Sequence, residues 1–113
     1  PAGLALAPDR DRILAGGEDV SVVTVEVRDA GGRVVPTASN LVRFTLQGPG
    51  RILGVGNGDP SSHEADHAPQ RSAFNGLCMV LVQSRPEAGA ITLLASADGL
   101  SPASALIRSD AML

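Results

Sequence analysis

Residues 63–67 read HEADH, a literal H-E-x-x-H. On a helical turn His63 and His67 would share one face and could hold a zinc ion while Glu64 activates water, the arrangement that metalloproteases use. That chemistry needs a long helix packed on a core and a third ligand. Here the motif lies between Pro60 and Pro69, offers no apolar face to bury, and is followed by no further histidine. Downstream oxygen ligands are limited to Glu87, Asp98 and Asp110, each in or near a turn signal or the terminus. The pentapeptide is therefore read as the polar filling of a loop, with Ser61 or Ser62 capping a short helical turn over residues 62–68 that ends before Pro69. His63 and His67 remain as candidates for adventitious metal binding, a zinc-binding protein is the remote alternative, and no cofactor is expected.

Other chemistries find less support. Gly54, Gly56 and Gly58 in LGVGNGD suggest a phosphate-cradling loop, but no lysine follows and Asp59 would repel a phosphate. A tight turn at Asn57 and Gly58, residues that tolerate positive φ, accounts for the glycines. No G-x-S-x-G marks a nucleophilic serine. Asp59, Glu64 and Asp66 could supply the carboxylate pair of a glycosidase, yet they share one polar loop with nothing apolar to raise an acid's pKa. Cys78 sits in an apolar run without a neighbouring cation and reads as a small buried hydrophobe. For calcium, neither the Asp9 and Asp11 pair nor the Asp59 loop shows a dense run of ligands.

Composition sets the bounds. A chain of 113 residues has the length of one domain, read as 1–113, with enough chain for one continuous core. Its first residue is Pro1, so it is expected to be a processed protein or an excised piece of a larger one. No apolar run approaches the ~18 residues of a membrane span and no signal peptide opens the chain, so a soluble domain without membrane insertion is expected. Net charge is −3, and all nine cations are arginines scattered singly, so no basic stripe exists to meet nucleic acid. The single cysteine excludes an internal disulfide. Phe44 and Phe74 are the only aromatic residues, which leaves little to stack on a sugar or a base.

The elements that would position these residues are strands. Residues 20–29, VSVVTVEVRD, put Val23, Val25 and Val27 on one face and Thr24, Glu26 and Arg28 on the other. Residues 41–47, LVRFTLQ, turn Val42, Phe44 and Leu46 inward, with Phe44 as a core anchor. Residues 77–84, LCMVLVQS, and 90–97, AITLLASA, are more apolar runs joined by RPEAG, and are expected to form an antiparallel pair. Shorter candidates are residues 4–7, 51–54 and 103–108. Turn signals separate them at 16–19, 29–33, 48–50, 57–60 and 97–102, a spacing that predicts an all-β, immunoglobulin-like antiparallel β-sandwich of about seven to nine short strands. The longest stretch without a strand pattern, from Gly56 to about Gln70, holds the HEADH.

Three stretches carry a resemblance: GVGNGDP at 54–60, Ala73-Phe74-Asn75-Gly76, and the ADGL of residues 97–100, within a succession that runs from DRDRIL to SPASALI. Together they resemble the C-terminal immunoglobulin-like domain of bacterial β-galactosidases of glycoside hydrolase family 2. The resemblance implies a parent with a jelly-roll-like sugar-binding domain, further sandwiches and a (β/α)₈ barrel whose two glutamates cleave β-galactosides with retention. No position here matches a catalytic residue of that family. The implied role is a non-catalytic accessory module of a periplasmic or secreted enzyme. Its partners would be the neighbouring domains and carbohydrate near the parent's active site, met by loop groups such as Asn57, Asp59, His63 or Arg71. HEADHAPQ is not a family signature. The fold is also similar to the repeated domains of invasin and intimin-like adhesins, which supply the alternative.

Overall fold

The computed structural model describes residues 1–57 and 69–111. Among them there are nine strands and no helix: β1 Gly3–Pro8, β2 Arg12–Leu14, β3 Val20–Arg28, β4 Leu41–Gln47, β5 Gly50–Gly56, β6 Gln70–Ser72, β7 Leu77–Ser84, β8 Gly89–Ser96 and β9 Ala103–Asp110. They form two facing sheets, β1-β3-β7-β5 and β2-β9-β8-β4-β6, the immunoglobulin-like sandwich that the turn spacing predicts.

Alternation along the strands builds the core. Val23, Val25, Val80 and Val82 from one sheet meet Val42, Ile91, Leu93 and Ile107 from the other, all at 0% exposure, while Val27 packs with Ala38 and Ala73 in a second, smaller cluster. Each such side chain contributes about 1.5–3 kcal/mol by leaving water. Phe44 joins them at 3%. Phe74 does not: it is half-buried and belongs to neither apolar cluster, because it ends a strand path and bridges to Leu77 across a tight turn.

The expected pairing of residues 77–84 with residues 90–97 is wrong. β7 lies between β3 and β5 in one sheet, while β8 lies between β4 and β9 in the other. The connection that looked like a hairpin turn crosses the sandwich. Its Arg85 ties the two layers together: the amide donates to the Pro49 carbonyl, the carbonyl accepts from the Gly16 amide, and Nε donates to the Gly50 carbonyl at 3.0 Å. A further departure is β2, which runs parallel to β9. After β1 the chain turns at Asp9, whose carboxylate accepts from the Val22 amide at 2.8 Å, and passes to the opposite sheet.

Candidate functional site

Asn57 and Arg71 stand at the two ends of the connection from β5 to β6, and the structure fastens those ends crosswise. Asn57 Nδ2 donates to the Ser72 carbonyl at 2.8 Å, and Arg71 Nη2 donates to the Val55 carbonyl at 3.1 Å. The Phe44 amide adds a bond to the Pro69 carbonyl at 2.8 Å. Asp59, His63, Glu64 and His67, together with the short helical turn expected over 62–68, lie outside the described residues.

Arg71 is not the outward loop contact that its polar neighbours suggest. It pairs directly with Val42 across β6 and β4, so both side chains point to the interior, and Arg71 is only 3% exposed. A guanidinium taken out of water needs acceptors, and the Val55 carbonyl is one. The residue closes the loop base from within.

Beyond β6 the chain turns through Phe74-Asn75-Gly76-Leu77. Asn75 and Gly76 have φ of 54° and 80°, and the Phe74 and Leu77 backbones exchange bonds of 2.8 and 3.1 Å, the geometry of a two-residue hairpin turn with both central residues left-handed. The turn sets Phe74 beside Asn57, Thr24, Leu77 and Met79 around a depression of about 240 Å³. Nothing in the alternation of residues 77–84 alone places Phe74 there; the apolar character of both faces of that run is the signal that was available.

Several charged groups elsewhere are engaged within the fold. Asp19 accepts from the Leu14 amide at 2.8 Å, from the Arg10 guanidinium and from the Val20 amide at 3.1 Å. Those bonds, the one from Leu14 foremost, hold its carboxyl below the ordinary aspartate value. Arg10 and Asp19 line an open depression of about 450 Å³ with Leu14, Ala15, Gly16 and Glu18. Arg12 pairs with Asp110 and Arg43 with Asp98, each at 3.3 Å. Asp9, a calcium candidate in the sequence, gives its carboxylate to Val22 N and Ser21 Oγ. Among the described residues no cluster of three or more His, Cys, Asp or Glu is placed to hold a metal ion.

The sandwich agrees in fold with what the chain is similar to. It is 46% identical over 103 residues to Beta-galactosidase BoGH2A of Bacteroides ovatus, covering 91% of this chain and 12% of that protein. It is 36% identical over 97 residues to a beta-glucuronidase of Formosa agariphila, covering 85% of this chain and 10% of the other. A solved glycosyl hydrolase family 2 member from Bacteroides cellulosilyticus superposes with a TM-score of 0.94 at 34% identity, over 96% of this chain and 14% of that one. The chain thus spans about an eighth of the length of such relatives. Intimin, the source of the adhesin alternative, is matched at a TM-score of 0.63 and 15% identity over 96% of this chain and 33% of that fragment, a likeness of fold alone. Residues 4–105 match the profile described as glycoside hydrolase family 2 C-terminal domain 5, and the chain belongs to that family.

Proposed function

We propose that the module is a non-catalytic accessory domain of a family 2 glycosidase that hydrolyses β-galactosides, and that it acts by seating against the neighbouring domains of its parent. The observation that carries this reading is the family match over residues 4–105. The 46% identity to a β-galactosidase favours the galactoside substrate. Retaining hydrolysis takes two carboxyl groups about 5–5.5 Å apart facing a sugar. The carboxylates of Asp9, Asp19, Glu26, Asp98 and Asp110 are instead engaged by backbone amides or arginines of the domain. Carbohydrate contact would fall to polar loop groups such as Asn57, since the chain has no Trp or Tyr to stack on a sugar.

The test is to assay the parent, with and without residues 1–113, on chromogenic β-galactosides and β-glucuronides. Turnover of the galactoside by the parent and none by the 113-residue module supports the reading. A parent that turns over only the glucuronide overturns the substrate, and a parent whose sequence holds no catalytic barrel overturns the role.

A further inference from the structure

The two outer faces of the sandwich differ in chemistry. On the β2-β9-β8-β4-β6 sheet the outward residues include Arg43, Thr45, Gln47, Thr92, Ser96, Ser104 and Arg108, with the exposed Leu14, Leu94 and Leu106 set among these polar groups. On the β1-β3-β7-β5 sheet the central outward positions are mostly apolar or small, with the Glu26–Arg28 ion pair and the Arg51–Gln83 hydrogen bond at its two ends. In one cross-strand row Ala7, Thr24, Met79 and Gly56 stand abreast, in the next Ala5, Glu26 and Leu77, and in a third Val22, Leu81 and Gly54. A Cβ on Gly56 would touch the Met79 side chain at 3.8 Å, so both lie on this face.

The centre of the face is open. Met79 is 41% exposed and Leu77 38%, and both border the 240 Å³ depression with Phe74. Over residues 77–82 β7 is thus apolar on both sides, the pattern of a strand covered on both. The glycines and alanines leave β5 and β1 smooth around the leucines and Met79, so another surface can approach closely.

Strand spacing fixes the size. Four strands ~4.8 Å apart, with three outward residues each at ~7 Å intervals, make a face of roughly 300–400 Å². Covered by a partner, it would bury about 600–800 Å² in total, within the range for domains joined in one chain and well under the ~1,200–2,000 Å² that a stable free complex takes. A tethered neighbour needs no more, because its effective concentration is in the millimolar range. Relatives of which this chain spans about 12% have ample further chain to supply one.

We infer that the outer face of the β1-β3-β7-β5 sheet, centred on Leu77 and Met79, is the surface by which this module docks on another domain of its own polypeptide. The occupant presents an apolar surface with one side chain that enters the depression beside Phe74. This inference rests on the reading of the module as part of a larger glycosidase.

Labelling of the full parent chain tests it. Met79→Cys and Leu106→Cys introduce thiols at sites of matched exposure in the module, 41% and 49%, on opposite faces. Leu77→Cys and Leu94→Cys form a second matched pair, 38% and 36%. With the unmodified parent as background, maleimide should label the Met79→Cys and Leu77→Cys variants at least tenfold more slowly than the Leu106→Cys and Leu94→Cys variants in the native parent. All four should label alike in denaturant, and the slow rates should be unchanged on dilution. Equal native rates overturn the inference. Protection lost on dilution to monomers also overturns it, since the occupant is then a second copy. A parent that hydrolyses galactosides but labels at equal rates leaves the proposed function standing and removes the docking face alone. A parent without a barrel removes the function whatever the rates.

Discussion

The Val35 carbonyl oxygen stands 2.3 Å from where a Cβ on Gly76 would lie, with Val34 Cγ1 at 2.9 Å, so the turn between β6 and β7 closes directly on the backbone of another loop. The Gly76 amide donates to the Ala38 carbonyl and its carbonyl accepts from the Val27 amide. This one residue ties the Asn-Gly turn to β3 and to the segment before β4, and it has no room to carry a side chain.

Gly76→Ala should therefore destabilise by about 2–4 kcal/mol, the sum of left-handed strain at φ 80° and a steric clash that a carbonyl cannot relieve by changing rotamer. Gly99→Ala is the control. Its φ is 76°, and nothing lies within 4 Å of its Cβ position, so only the strain of about 1 kcal/mol applies. Denaturant unfolding of the two variants should separate the contributions. Equal costs would mean that the Val35 approach does not exist.

The two phenylalanines should part company in the same measurement. Phe44→Ala removes a side chain 3% exposed at the centre of the core and should cost about 3–5 kcal/mol. Phe74→Ala removes a half-buried ring at the rim of an outer face and should cost about 1–2 kcal/mol in the module. Similar losses would place Phe74 in the core.

That difference also shows what could be read from the chain beforehand. Period-two alternation reports which side of a strand is buried, so β3 and β4 were legible together with their inward residues, whereas β7 and β8 were legible as apolar runs and β1, β5 and β9 as short strand candidates. It does not report which strands are neighbours, and RPEAG resembled a hairpin because a turn and a crossing between layers use the same residues. β2 and β6 have three residues each, too few to show a period. Arg71 looked like surface because Gln70 and Ser72 flank it; only its register against Val42 shows that it points inward. Asn57 was legible as a polar group at a turn. Asp19 was not legible as an organiser, since its partners Leu14 and Arg10 come together only once β2 has crossed to the second sheet.

Asp19 gives the fold a defined acid dependence. Its carboxyl sits below the ordinary aspartate value because the charged form accepts the Leu14 amide, the Arg10 guanidinium and the Val20 amide. The unfolded chain binds the proton more readily than the fold does. The stabilisation is fully present above the unfolded value of about 3.9 and is lost as pH falls through the lower folded value. Asp19→Asn should lower Tm by roughly 3–6 °C at pH 7, the scale of about 1 kcal/mol of lost hydrogen bonding in a domain of this size. The gap between wild type and variant should narrow on acidification below about pH 4. A gap that stays constant down to pH 2 would show that the charge on Asp19 is not what holds β2 to β3.

The crossed bonds at the loop base make a last, quantitative expectation. Each of the two side chains reaches past the other to its acceptor: Asn57 bonds Ser72, the residue after Arg71, and Arg71 bonds Val55, on the strand that leads to Asn57. Arg71→Met keeps most of the buried aliphatic length and loses the charged donor, for about 1.5–3 kcal/mol, whereas Arg71→Ala also opens a cavity and should cost more. Asn57→Ala should cost about 1 kcal/mol. Because both bonds fix the same two chain ends, breaking one lets the other adjust, and the double variant Asn57→Ala with Arg71→Met should lose less than the two single losses added, by at least about 0.5 kcal/mol. Strict additivity in urea unfolding would mean that the two bonds hold their ends independently.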